Sequence, residues 1–130
     1  MPRLFSHVDL RVRDRKKART FYDAIFAPFG MSADEGATFV SYTIDPSAPE
    51  ADSEWFGFTE EPGMAEGSVR IALHAATRQL VDEVAAAARA AGARDVDGPA
   101  VVAEYSPNYY AVFFNDPDGN VLEVVCLAQS

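Results

Sequence analysis

This 130-residue chain is short of cysteine, of histidine and of positive charge: it has one Cys, two His, and 11 Lys plus Arg against 20 Asp plus Glu. The lone Cys126 excludes an intramolecular disulfide and a cysteine-rich metal cluster. The deficit of basic residues leaves a net charge of −9, which repels nucleic acid and anionic lipid and argues against either as a partner. No apolar run approaches the roughly 20 residues of a membrane span. Charges also follow Met1-Pro2-Arg3 too soon for a secretory leader, so the expected compartment is the cytoplasm. What is present, 48% apolar and 12% aromatic residues, suits a globular chain of single-domain length.

Hydrophobic periodicity divides the chain into two similar halves. Over Phe5–Arg13, Val8, Leu10 and Val12 alternate with His7, Asp9, Arg11 and Arg13, the period of a half-buried strand. Asp14 is placed to cap a helix whose apolar stripe is Ala18, Phe21, Tyr22, Ile25 and Phe29, closed by Pro28 and Gly30. Strands are expected at Ala37–Ile44 and Trp55–Thr59, with a loop over 45–52 and a Pro- and Gly-bearing linker over 60–67. The pattern then restarts. Val69, Ile71, Leu73 and Ala75 alternate with Arg70, Ala72 and His74, and Thr77 caps a second helix with the stripe Leu80, Val81, Val84, Ala88 and Ala91, stopped by Gly92. Strands are expected at Ala100–Glu104, Tyr109–Asn115 and Val121–Leu127, the last two joined by a tight turn at Asp116-Pro117-Asp118-Gly119.

The two caps set the register of the repeat. His7 lies seven residues before Asp14 and Arg70 seven before Thr77, so His7 matches Arg70, and Arg11 matches His74. The spacing thus predicts a duplicated strand–helix–strands unit. In each, the apolar side of the sheet takes the helix and the row containing His7 faces away from it. Two such sheets placed edge to edge enclose a cup lined by polar rows. Parity puts Glu123 on the cup face and Cys126 on the helix face of the last strand.

The opening His7-Val-Asp-Leu-Arg-Val-Arg-Asp, followed by Ala18-Arg-Thr-Phe-Tyr22, and the closing Tyr109-Tyr-Ala-Val-Phe-Phe-Asn-Asp-Pro-Asp-Gly-Asn-Val-Leu-Glu-Val-Val125 resemble the vicinal-oxygen-chelate superfamily of glyoxalases, bleomycin resistance proteins and extradiol dioxygenases. The resemblance implies an α+β fold of two βαβββ modules, forming a paired, cup-shaped mixed sheet with the helices outside. Residues 1–130 are then a single glyoxalase-like domain, with module 1 at about 1–60, a linker at 61–67 and module 2 at about 68–128. It also implies a small-molecule ligand or substrate and a homodimer.

Metal-dependent members of that family hold a divalent ion (Fe, Zn, Ni or Mn) with a His on the first strand of each module and a carboxylate or Gln on the last. Carried over, His7 and Glu123 occupy two of the four positions, as ligands or as catalytic proton-transfer groups. The other two depart from the pattern: the register puts Arg70 at the second His, and Gly57 in Trp55-Phe-Gly-Phe-Thr59 at the first carboxylate. An Arg cannot ligate a cation. His74 shares a strand face with Arg70 and is the candidate third ligand, giving a two-His, one-carboxylate set.

Arg11, Trp55, Arg70 and His74 are the candidate substrate-binding residues, the arginines for an anionic group and Trp55 for a planar one. Each also has a plainer role. His7 and Trp55 are placed to serve as core residues, Arg11 as a solvated strand residue, and Arg70 as the ion-pair partner that a buried Glu123 requires. Two functions follow from the resemblance. One is a glyoxalase-like enzyme of the lyase, isomerase or dioxygenase type, acting on a small oxygenated substrate. The other is a metal-free protein that sequesters a small molecule in the bleomycin-resistance manner.

Overall fold

The computed structural model describes residues 4–49 and 53–128; residues 50–52 of the expected loop lie outside them. The chain divides into two compact units, Met1–Ala65 and Glu66–Ser130. The first holds β1 (His7–Val12), α1 (Arg15–Phe26), β2 (Ser32–Glu35), β3 (Phe39–Thr43) and β4 (Trp55–Glu60). The second holds β5 (Arg70–His74), α2 (Arg78–Ala90), β6 (Arg94–Val101), β7 (Tyr110–Asn115) and β8 (Val121–Cys126). Their sheets have the orders β1-β4-β3-β2 and β5-β8-β7-β6, the same βαβββ topology twice. In each, the first and last strands pair in parallel and the remaining pairs are antiparallel, so both sheets are mixed.

Both helices start where the sequence places their caps. The Asp14 carboxylate accepts from the backbone N–H groups of Lys16 and Lys17, and the Thr77 hydroxyl accepts from that of Leu80. α1 stops at Phe26, so Phe29 of the expected stripe lies beyond the helix, its ring 6.0 Å from that of Phe26. In unit 1, Phe21, Tyr22, Ile25 and Phe26 of α1 are buried, as are Leu10, Val12, Val40, Tyr42, Phe56 and Phe58, the even-numbered row of the sheet. The rings of Tyr22, Phe26, Tyr42 and Phe56 pack at centroid separations of 4.8–5.9 Å. In unit 2, Val81, Val84, Ala85 and Ala88 of α2 and the row Val112, Phe114, Leu122, Val124 and Cys126 form the core.

Two strands differ from expectation. β2, Ser-Ala-Asp-Glu, is an exposed edge strand with no apolar alternation to announce it. β6 spans Arg94–Val101, where the sequence pointed to Ala100–Glu104. It is also an edge strand and shifts register against β7 twice, around the Asp97-Gly98-Pro99 segment. Proline is tolerated there because an edge strand has an unpaired side. Gly98 has φ +99°, and a Cβ at that position would stand 2.7 Å from the Ala111 carbonyl oxygen.

Candidate functional site

Strand pairing gives the two units one register. β1 pairs with β4 as His7↔Trp55, Asp9↔Gly57 and Arg11↔Thr59, whereas β5 pairs with β8 as Arg70↔Val121, Ala72↔Glu123 and His74↔Val125. His7 and Arg70 therefore hold the same place in their units, as do Gly57 and Glu123. All of them lie in the row facing away from the helix, because the neighbouring row fills each core.

In unit 1 this face is occupied by side chains that satisfy one another. The imidazole of His7 stacks on the Trp55 indole, with centroids 4.1 Å apart and planes 3° from parallel. Its Nδ1 is 3.0 Å from Ser6 Oγ. Asp9 accepts from Thr59 Oγ1 at 3.0 Å and from Arg11 at 3.1 Å. Arg11 also lies 3.9 Å from Glu61. At Gly57 a Cβ would stand 2.8 Å from Trp55 Cζ3 and 2.6 Å from the Val40 carbonyl oxygen. The indole thus covers the position where the resemblance asks for a carboxylate.

In unit 2 the same face carries a charged cluster. Glu123 is 4% exposed and stands opposite Ala72, flanked on β5 by Arg70 and His74. A carboxylate this buried needs a counter-charge and hydrogen bonds. Arg70 supplies the first, its Nη2 3.5 Å from Glu123 Oε1. The Tyr109 hydroxyl donates to Oε2. The guanidinium of Arg70 also lies over the Phe113 ring, 4.7 Å from its centroid, and Phe113 is the cross-strand neighbour of Glu123. Burial and the hydrogen bond to Glu123 push the Tyr109 phenol up to about 12, so it remains a donor at physiological pH. His74, exposed at the end of β5, lies diagonally across from Glu123 on the side away from Arg70.

These donors do not fit a divalent ion. Arg70 stands at the second His position and Gly57 at the first carboxylate position, and Glu123 is already engaged by a guanidinium and a phenol. Within either unit, the described residues bring no three His, Cys, Asp or Glu side chains together in a geometry that holds a metal. Of the residues singled out from sequence, His7 meets Trp55 and Arg70 meets Glu123. Arg11 is tied to acids on its own face, and no described contact joins His74 to another candidate.

Sequence reading missed Tyr109 and Phe113, although the tight turn at 116–119 fixes a hairpin register that pairs 113 with 123. It also missed a concavity of about 580 Å3 on this face of unit 2, walled by Arg70, Asp97, Glu104, Tyr105 and Phe113. No helix among the described residues is long and apolar enough to cross a membrane.

The sequence model of the Glyoxalase/Bleomycin resistance protein/Dioxygenase superfamily matches residues 4–124. The chain is similar to a glyoxalase/bleomycin resistance protein from Albidiferax ferrireducens, with 24% identity, a TM-score of 0.76, and coverage of 95% of this chain and 98% of that one. It is also similar to a fosfomycin resistance protein from Listeria monocytogenes, with 20% identity, a TM-score of 0.69 and coverage of 97% and 94%. A bleomycin-binding protein solved with bleomycin shares 15% identity, with a TM-score of 0.64 and coverage of 96% and 98%. At these identities the likeness is one of fold. No curated protein matches the chain. With the repeated βαβββ topology and a family match over nearly its whole length, the chain belongs to the glyoxalase/bleomycin resistance protein/dioxygenase superfamily.

Proposed function

We propose that this chain is a metal-free small-molecule-binding protein that sequesters its ligand against the polar faces of its sheets. The observation that carries the reading is the pairing of Arg70 with Glu123. A fixed positive charge beside the one buried carboxylate of the sheet opposes a second cation there and leaves Glu123 no free oxygen to offer it. In unit 1, His7 and Trp55 contribute a flat stacked surface suited to a planar group and Arg11 a hydrogen-bond donor on the same face; in unit 2, Arg70 and His74 contribute donors. The protein acts in the cytoplasm, as a homodimer.

Titration calorimetry with bleomycin and fosfomycin, each with EDTA and with added Zn²⁺, Ni²⁺ or Fe²⁺, tests this reading when followed by mass spectrometry of the recovered ligand. The expected result is binding of at least one of the two in EDTA, with the ligand returned unaltered. Ligand that comes back isomerised, cleaved or oxygenated only when metal is added would instead make the chain a glyoxalase-type lyase, isomerase or dioxygenase. His7 and Glu123 would then be its metal ligands or proton-transfer groups. Sedimentation velocity reads the assembly state.

A further inference from the structure

The β6–β7 loop of unit 2, residues 102–109, is the counterpart of the shorter β2–β3 loop of unit 1, residues 36–38, and the two are anchored differently. In unit 1, Arg15, the first residue of α1, donates from Nη1 to the carbonyl of Gly36 at 2.9 Å and to that of Ala37. Its Nε lies 3.8 Å from Glu35, the last residue of β2. That loop is thereby tied to its helix. In unit 2 the first helical residue is Arg78, and the last residue of β6 is Val101, so the arginine recurs while the acid does not. The guanidinium of Arg78 lies over the Tyr110 ring, 5.0 Å from its centroid. Its Nε is buried and has no hydrogen-bond partner among the described residues.

An orphaned buried donor is costly, and native structures rarely keep one without a reason. Arg78 stands where Arg15 holds a loop, but here the loop is held elsewhere. Tyr109 donates to Glu123 on the face away from α2, and Tyr105 stands edge-on to Tyr109 with centroids 5.0 Å apart. The backbone bonds of the loop close upon itself: Tyr105 and Ser106 donate to the Val102 carbonyl, Tyr109 to that of Ser106, and Val102 to that of Tyr109. Ala103, Glu104, Tyr105 and Pro107 are exposed. Among the described residues, the Tyr109 phenol is the one side chain of the loop that hydrogen-bonds to the sheet.

Resting on the metal-free binding reading, we infer that the β6–β7 loop is a two-position cover for the polar face of unit 2. In the closed position, that of this structure, Tyr109 latches the loop to Glu123. In the open position Arg78 takes loop carbonyls as Arg15 takes those of Gly36 and Ala37, so that its guanidinium gains the partner it lacks. Glu123 Oε2 is then left to accept a hydrogen bond from a donor group of the ligand. Each position satisfies one polar group and forgoes another, which makes the element bistable. Arg70 stays on Oε1 in both, so a cation is opposed throughout.

NMR relaxation dispersion at residues 102–109 of the full chain, in EDTA and without ligand, tests this. Tyr109→Phe keeps the ring and removes the latch. The ratio of open to closed loop should rise about tenfold over wild type, and a soluble nitroxide should broaden the Glu123 signals more than in wild type. Adding Arg78→Met to Tyr109→Phe removes the second seat and should bring the ratio down again by about tenfold. Arg78 has no hydrogen bond to lose in the closed position, so this variant keeps the fold. Loop resonances that stay in place in Tyr109→Phe overturn the inference. Exchange in Tyr109→Phe that Arg78→Met leaves unchanged also overturns it, because the loop is then loosened rather than reseated. Either result leaves the metal-free reading standing. Release of Tyr109 from Glu123 in the wild type by Zn²⁺, added in place of EDTA, would instead remove the metal-free reading itself.

Discussion

The indole of Trp55 lies directly against the backbone of Gly57, so that a Cβ at position 57 would stand 2.8 Å from Cζ3 of the ring and 2.6 Å from the carbonyl oxygen of Val40. Neither neighbour yields easily, since one is backbone and the other is a ring stacked on His7. Gly57→Ala is therefore expected to destabilise the chain by about 1–3 kcal/mol, the usual cost of overpacking a filled position. Because Trp55 is the sole tryptophan, its emission should shift in the same variant. An unchanged melting temperature and spectrum would show that the ring moves aside freely. The covered position would then be open to a carboxylate after all.

The Arg70–Glu123 pair joins a half-exposed guanidinium to a carboxylate that is almost wholly buried. Removing the guanidinium leaves that carboxylate with Tyr109 alone, so Arg70→Met should cost about 1–3 kcal/mol, less than for a fully buried pair because water reaches the Arg side. Glu123→Gln keeps the shape and removes the charge. The double variant should be less destabilised than the sum of the singles by about 1 kcal/mol, read from urea unfolding. Strict additivity would mean that the two groups are neighbours without being partners.

Tyr109 gives the cluster an alkaline signature. Its phenol is raised from the ordinary value near 10 to about 12, by burial first and then by the bond to Glu123. The native state holds this proton more tightly than the unfolded chain does. The resulting stabilisation is complete below about pH 10 and is lost as pH rises through about 12. Ultraviolet titration of tyrosinate should thus show a late-ionising group in the wild type that Tyr109→Phe lacks. The variant's stability should also fall less steeply between pH 10 and 12. If Tyr109→Phe leaves the late titration unchanged, the proton held near pH 12 belongs to another tyrosine.

How much of this was legible beforehand depends on which signal each residue leaves in the sequence. Asp14 and Thr77 fixed both helices, because a cap is a local chemical requirement, and the strand rows followed from the period of two. The equivalence of His7 with Arg70 came from the same count. β2 and most of β6 were illegible for one shared reason. Both are edge strands, and an edge strand's pairing is decided by its neighbour rather than by an apolar face of its own. Tyr109 was hidden differently. It precedes β7, and its reach to Glu123 depends on how the chain enters that strand, which periodicity does not encode.

The last prediction concerns the metal. Arg70 holds the strand position of His7, which the family pattern reserves for a histidine in both units. Its guanidinium repels a cation by charge and competes for Glu123. Arg70→His removes the charge, frees one carboxylate oxygen, and supplies a neutral imidazole. With Glu123 on the neighbouring strand it gives unit 2 the His and the carboxylate that the family pattern assigns to one module. Calorimetric titration with Ni²⁺, Zn²⁺ and Fe²⁺ should show affinity in Arg70→His at least about tenfold above wild type, a gain of about 1.4 kcal/mol. His74→Ala should change little, because His74 lies on the far side of Ala72 from Arg70 and Glu123 turns toward Arg70. Tight binding by the wild type that His74→Ala abolishes would make His74 the ligand, with the Arg70–Glu123 pair opening to admit the ion. The metal-free reading of the site would then be wrong.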